Sequence, residues 1–172
     1  MRTLGKRREI VGEIGEFTLI DRIRDILPVS RNKDLLVDIG DDTAVVRLDE
    51  RRALLLTCDI QVEGVHFRLD RTMPYRVGRR AMAVNLSDIA SMGGTPTYAL
   101  VSLGLPADFP VASYDRLFEG MRDELLPHRA CISGGNLAQT RECLIVDVTL
   151  LGEADPSRVL TAAGRGSATA SS

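Results

Sequence analysis

Three apolar runs in this chain break off at carboxylates. Asp41-Asp42 follow Leu35-Leu36-Val37, Asp59 follows Leu54-Leu55-Leu56, and Asp88 lies inside Ala83-Val84-Asn85-Leu86-Ser87-Asp88-Ile89-Ala90. A carboxylate left alone among apolar residues either carries a heavy desolvation cost or takes up a proton. A fold built from these runs must therefore bring donors or a cation to each break. Asp also ends strands and caps helices, and for any single residue that role suffices. As a set, Gly40-Asp41-Asp42, Thr57-Cys58-Asp59, Asn85-Leu86-Ser87-Asp88 and Gly134-Gly135-Asn136 all place oxygen ligands beside small or flexible residues. Magnesium favours that chemistry, because it takes hard oxygen ligands, few protein carboxylates and phosphate oxygens to complete its shell.

The periodicity around these breaks mixes helix and strand. Phe17, Ile20, Ile23 and Leu27 fall at helical spacing, and Pro28 ends that helix. Leu35 to Ile39, Ala44 to Leu48 and Ala53 to Cys58 read as strands, which puts Asp41-Asp42 on a connection and Asp59 just past a strand end. A helix opens at Met73-Pro74 and runs to about Met92, where Gly93-Gly94 and Pro96 stop it. Tyr98 to Leu105 is a strand, and Val111 to Leu126 a helix ended by Pro127. Ala130 to Ser133 and Cys143 to Leu151 are strands, with Gly134-Gly135-Asn136 between them. Without the regular alternation of a doubly wound sheet, the expected class is α+β, a mixed sheet with helices packed on one face. Residues 1–14 are expected to be a flexible lead, 15–155 the domain, and 156–172 a linker and disordered tail.

Composition removes several function classes. A chain of 172 residues that is 44% hydrophobic forms one ordinary domain with a real core. A net charge of -2, 4% aromatic residues and no Trp leave neither the electrostatic footprint nor the stacking platforms of a nucleic-acid binder. Cys58, Cys131 and Cys143 form no CxxC pair and read as buried free thiols of a reducing compartment, and with only His66 and His128 beside them they do not make a zinc site. No stretch approaches the ~18 apolar residues of a membrane span, so a cytoplasmic protein is expected. A Walker-type phosphate loop is also missing. An uncovered sheet face would favour a homodimer, with Leu100, Leu103, Val146 and Val148 as its candidates.

Gly15-Glu16-Phe17, Gly40-Asp41-Asp42, the run Asp59-Ile60-Gln61-Val62-Glu63-Gly64-Val65-His66-Phe67, the run from Ala83 to Pro96, and Gly134-Gly135-Asn136 together resemble the thiamine-monophosphate kinases. Those enzymes sit in a wider superfamily with aminoimidazole ribonucleotide synthetase, selenophosphate synthetase and the hydrogenase-maturation dehydratase. The resemblance implies an aminoimidazole ribonucleotide synthetase N-terminal-domain-like fold whose sheet pairs into a barrel across a dimer. It also implies magnesium-dependent transfer of the ATP γ-phosphate to thiamine monophosphate, giving thiamine diphosphate. On that likeness Asp42, Thr57, Cys58, Asp59, Asp88 and Asn136 would surround magnesium. His66 would contact thiamine monophosphate, and Gly135 with Asn136 would approach the ATP phosphates.

The likeness covers only the first of the family's two domains, so little turnover is expected from this chain alone. Asn136 stands where the family frequently has the Asp of a GGD motif, Phe118 where a Tyr is usual near the nucleotide, and Ala162 where an Arg ordinarily reaches ATP. The alternative is a non-catalytic nucleotide-binding or dimerisation module, or another ATP-dependent member of the superfamily.

Overall fold

The computed structural model describes residues 10–27 and 32–160. Pro28, Ala162 and the tail from residue 161 lie outside that range. The chain divides into two compact units, Met1–Lys33 and Asp34–Ser172. The first carries helix α1, Glu16–Ile26, whose Phe17 and Ile26 are exposed.

The second unit holds a six-stranded sheet with β1 (Leu35–Val37), β2 (Ala44–Arg47), β3 (Ala53–Val62), β4 (Thr95–Pro106), β5 (Cys131–Thr140) and β6 (Ile145–Ala154), in the order β1-β2-β3-β6-β4-β5. All neighbours are antiparallel except β4 and β5, which α3 (Val111–Leu125) joins in parallel. A parallel pair needs such a crossover, since a tight hairpin cannot reverse the chain twice. Helix α2, Pro74–Ser91, connects β3 to β4. It ends at the expected stop, where the Gly94 N–H bonds back to the Ile89 carbonyl at 3.0 Å. The expected α+β class is the one observed.

One face of the sheet makes the core. Strand alternation turns Leu55, Ala99, Val101, Leu103, Val146, Val148 and Leu150 toward Met82 and Ile89 of α2 and Leu117 and Met121 of α3, all of them buried. Two glycines let the helices meet: a Cβ on Gly78 would lie 2.0 Å from the Leu117 carbonyl oxygen, and one on Gly120 would lie 2.0 Å from that of Tyr75. The other face carries Ile60, Tyr98 and Leu100, each more than 40% exposed. Leu103, Val146 and Val148 therefore do not belong to the uncovered face expected of them. They stand on the covered side, and Leu100 alone of that set is on the open one.

Three further expectations change. Asp59 lies inside β3, because β6 continues the ladder through Val62↔Ile145 and carries the strand past the carboxylate. Gly134-Gly135-Asn136 is strand rather than connection, for β4 pairs with β5 from Tyr98↔Cys131 to Pro106↔Thr140. The cysteines are unpaired as expected, but Cys58 and Cys131 are exposed, one on the open face and one on the edge strand.

Candidate functional site

Strand β3 and helix α2 pass each other in opposite directions. Thr57 meets Asp88 near the helix C-terminus, while the loop after the strand meets Arg80 nearer its start. The seam between them gathers the carboxylates. The Thr57 hydroxyl donates toward Asp88 Oδ2 at 3.0 Å and toward the Asp42 backbone carbonyl at 3.1 Å. Burial pushes the Asp88 carboxyl up to about 6 against the pull of the Thr57 hydrogen bond, and the carboxylates of Asp59 and Asp42 add to the rise. Three segments remote in sequence thus converge as the carboxylate breaks require. Among the described residues no three His, Cys, Asp or Glu side chains are close enough to hold a metal ion by themselves. The donor set nonetheless fits magnesium, which takes one or two carboxylates and leaves the rest of its shell to water and phosphate.

Cys58 does not join this set through its side chain. Alternation along β3 turns Thr57 and Asp59 to one face and Cys58 to the other, where its thiol lies 3.3 Å from Asp147 Oδ1 and 3.5 Å from Thr149 Oγ1. Only its main chain runs past the carboxylates. Period-two alternation was the signal that separates these neighbours.

His66 sits in the turn that follows β3. Its Nδ1 accepts the Val62 N–H at 3.0 Å, which leaves the proton on Nε2 of an exposed ring. Arg80 donates to the His66 carbonyl at 2.8 Å, tying that turn to α2. Its neighbour Arg79 is engaged elsewhere, with Glu124 at 2.6 Å. Eight residues separate Arg80 from Asp88 on the same helix, so about 12 Å of helix lies between the histidine turn and the carboxylates.

Gly135 and Asn136 stand farther across the sheet. Asp59, Val148, Val101 and Gly135 are successive register partners, which places Gly135 three strand spacings, roughly 14 Å, from Asp59. A Cβ on Gly135 would lie 1.8 Å from the Val101 carbonyl oxygen, so only glycine lets β5 approach β4 there. Beside it opens a cleft of about 270 Å³ lined by Tyr114, Phe118, Gly134, Gly135 and Asn136. The Tyr114 and Phe118 rings are 4.8 Å apart. Tyr114 escaped the sequence reading, although its four-residue spacing from Phe118 on α3 was the available sign.

Comparison with known proteins fits this arrangement. Residues 40–154 match the family described as AIR synthase related protein, N-terminal domain. The thiamine-monophosphate kinase of Aquifex aeolicus is 39% identical over 143 residues, which are 83% of this chain and 44% of that enzyme. Among solved structures, AaThiL complexed with AMPPCP and TMP superposes with a TM-score of 0.75 at 38% identity, covering 85% of this chain and 44% of that one. The thiamine-monophosphate kinase of Stenotrophomonas maltophilia K279a gives 0.60 at 31% identity, covering 86% and 45%. The chain spans less than half the length of the relatives it matches. Its fold, its carboxylate-bearing motifs and the matched residues together show that the chain belongs to the AIR synthase related protein family, as an N-terminal domain.

Proposed function

We propose that this domain is the nucleotide and magnesium side of an ATP-dependent kinase that transfers the γ-phosphate of ATP to the phosphate of thiamine monophosphate, releasing ADP and thiamine diphosphate. The observation that carries the proposal is the Thr57 hydroxyl joining Asp88 to the Asp42 backbone, with the carboxylates of Asp59 and Asp42 close enough to Asp88 to help raise it to about 6. Carboxylates brought together at such a cost are matched to a cation, and relatives of this chain are thiamine-monophosphate kinases, one of them complexed with AMPPCP and TMP.

Asp42, Asp59 and Asp88 would hold magnesium with one or two of these carboxylates at any one ion and water and phosphate oxygens completing its shell, Thr57 orienting Asp88 and the main chain at Cys58 alongside. When bound, magnesium neutralises charge on the transferring phosphoryl group. The protein's own share is placement. Gly135 brings bare backbone toward the ATP phosphates, Asn136 offers them an amide and offers its carbonyl oxygen to a magnesium ion on that side of the nucleotide, and the exposed Nε2–H of His66 donates to thiamine monophosphate. The open face with Ile60, Tyr98 and Leu100 would be covered by a second copy, a homodimer joined through its sheets. The cytoplasm expected from the unpaired cysteines belongs to the same proposal.

Calorimetric titration of AMPPCP into the chain, with and without magnesium and again with Asp88→Asn, tests the reading. Magnesium-dependent binding that disappears in the variant supports it. Binding indifferent to both magnesium and Asp88 removes it. The roughly 14 Å between Asp59 and Gly135 favours a second reading, a nucleotide-binding module without chemistry of its own. Nucleotide binding without formation of thiamine diphosphate by the chain, even when a second kinase domain is supplied, would select it.

A further inference from the structure

Among the described residues three buried side-chain oxygens have no hydrogen-bond partner: Thr43 Oγ1, Gln61 Oε1 and Asn85 Oδ1. Each neighbours one carboxylate of the seam. Thr43 follows Asp42, Gln61 is two residues beyond Asp59 on the same face of β3, and Asn85 lies three residues before Asp88 on α2. Residues three apart on a helix share a face. Asn85 is fully buried, and its Nδ2 donates to the Ala81 carbonyl at 3.0 Å. That bond fixes the amide and turns its oxygen the other way. Three helical residues rise about 4.5 Å, between one and two residues of a strand, so Asn85 stands level with Asp59 where Asp88 stands level with Thr57.

A buried carbonyl oxygen without a donor costs stability, and ionised carboxylates at its level on the seam supply none. What satisfies both sides is a donor with two hydrogens. A water of a cation's shell is such a donor, since magnesium sheds its waters reluctantly and a buried water makes two to four hydrogen bonds. We infer that Asn85 is a positioning residue for the hydrated cation: its Oδ1 accepts a hydrogen bond from a shell water whose oxygen faces the metal held by Asp59 and Asp88. This rests on the magnesium reading proposed above. The amide then has two jobs, one hydrogen bond into the helix and one into the cation's shell, and a Leu or Ala at this position does neither.

The test is binding of Mn2+ alone to the full chain, followed by the loss of the free-ion electron paramagnetic resonance signal, with thermal melting of the metal-free and metal-loaded protein. Asn85→Leu and Asn85→Ala are compared with wild type and Asp88→Asn. Ala cannot overpack the interface, so it carries the test should Leu prevent folding. The expected result is Mn2+ affinity lower by about 10- to 100-fold in the Asn85 variants, with metal-free melting unchanged or raised. Wild-type affinity in these variants, or an equal fall in melting temperature with and without Mn2+, would make Asn85 a structural residue and overturn the inference. If wild type binds no Mn2+, or Asp88→Asn binds it equally, the magnesium reading fails and the inference with it. Loss in Asp88→Asn without loss in the Asn85 variants overturns the inference alone.

Discussion

The seam between β3 and α2 and the edge made by β5 both carry motif residues, yet they are held in opposite ways. The seam is packed from two sides and its constraint is electrostatic: Asp88 is half-buried beside two other carboxylates and its carboxyl is raised to about 6. The edge is paired on one side only, and nearly every residue from Cys131 to Gln139 is exposed. Its constraint is steric, set by the contact of Gly135 with the Val101 backbone. Function and stability should therefore oppose each other at the seam and coincide at the edge.

The largest effect is expected where sterics rule. Gly135→Ala forces a Cβ against a main-chain carbonyl that cannot turn aside, and should cost about 3 kcal/mol, a fall in melting temperature of roughly 10 °C. Gly78→Ala, at the contact of the two helices, should fall by a similar amount. Thermal denaturation followed by circular dichroism reads both. If Gly135→Ala melts with wild type, the edge is looser than its geometry and the contrast with the seam collapses.

At the seam the sign reverses. The Asp88 carboxyl is raised to about 6 from the ordinary 3.8, so between those values the unfolded chain has released its proton while the folded chain keeps it. The stability Asp88 contributes is fully present below about pH 4 and is lost as pH rises through 6. Without a cation, Asp88→Asn should raise the melting temperature at pH 7 by ~3 °C, on the order of 1 kcal/mol once solvent screening is allowed for. It should also flatten the wild-type decline between pH 4 and 7, while magnesium-dependent AMPPCP binding falls more than about tenfold. A variant that loses stability and binding together would mean the carboxylates are not in conflict in the metal-free fold.

The open face gives a smaller and concentration-dependent effect. Leu100→Asp puts a charge among Ile60 and Tyr98, and light scattering should show dimer giving way to monomer. Melting should change little at the low concentrations where wild type is already dissociated. A wild-type monomer at every concentration would leave this face without the proposed partner.

How far the sequence discloses these regions depends on the range of the forces involved. The three helices and the stop at Gly93-Gly94 are local matters of spacing and capping, and they are legible. That Asp42, Asp59 and Asp88 need company follows from carboxylates among apolar residues. Their gathering around Asp88 requires α2 to lie antiparallel over β3, which spacing alone does not express. Gly134-Gly135-Asn136 reads as a turn because glycine usually marks one. Here a neighbouring strand overrides that preference, supplying backbone partners and a contact only glycine tolerates. Asn85 is hidden for a related reason. An Asn in an apolar helix signals polarity but does not tell which side of its amide goes unanswered.

Cys58 gives the finest division of all, since it lies between two proposed site residues and belongs to neither. Its thiol faces Asp147 and Thr149 on the open side of the sheet, while Thr57 and Asp59 point into the seam. Cys58→Ser keeps a small hydrogen-bonding group on that face and leaves the backbone beside the carboxylates untouched. Magnesium-dependent AMPPCP binding should stay within about twofold of wild type, and melting within the ~0.5 kcal/mol usual for surface substitutions. Asp59→Ser, one residue along the same strand, should lose that binding. A Cys58→Ser variant as deficient as Asp59→Ser would show that the thiol reaches the cation. The strand would then have to rotate locally on binding, and the distinction between its two faces would not survive in the working protein.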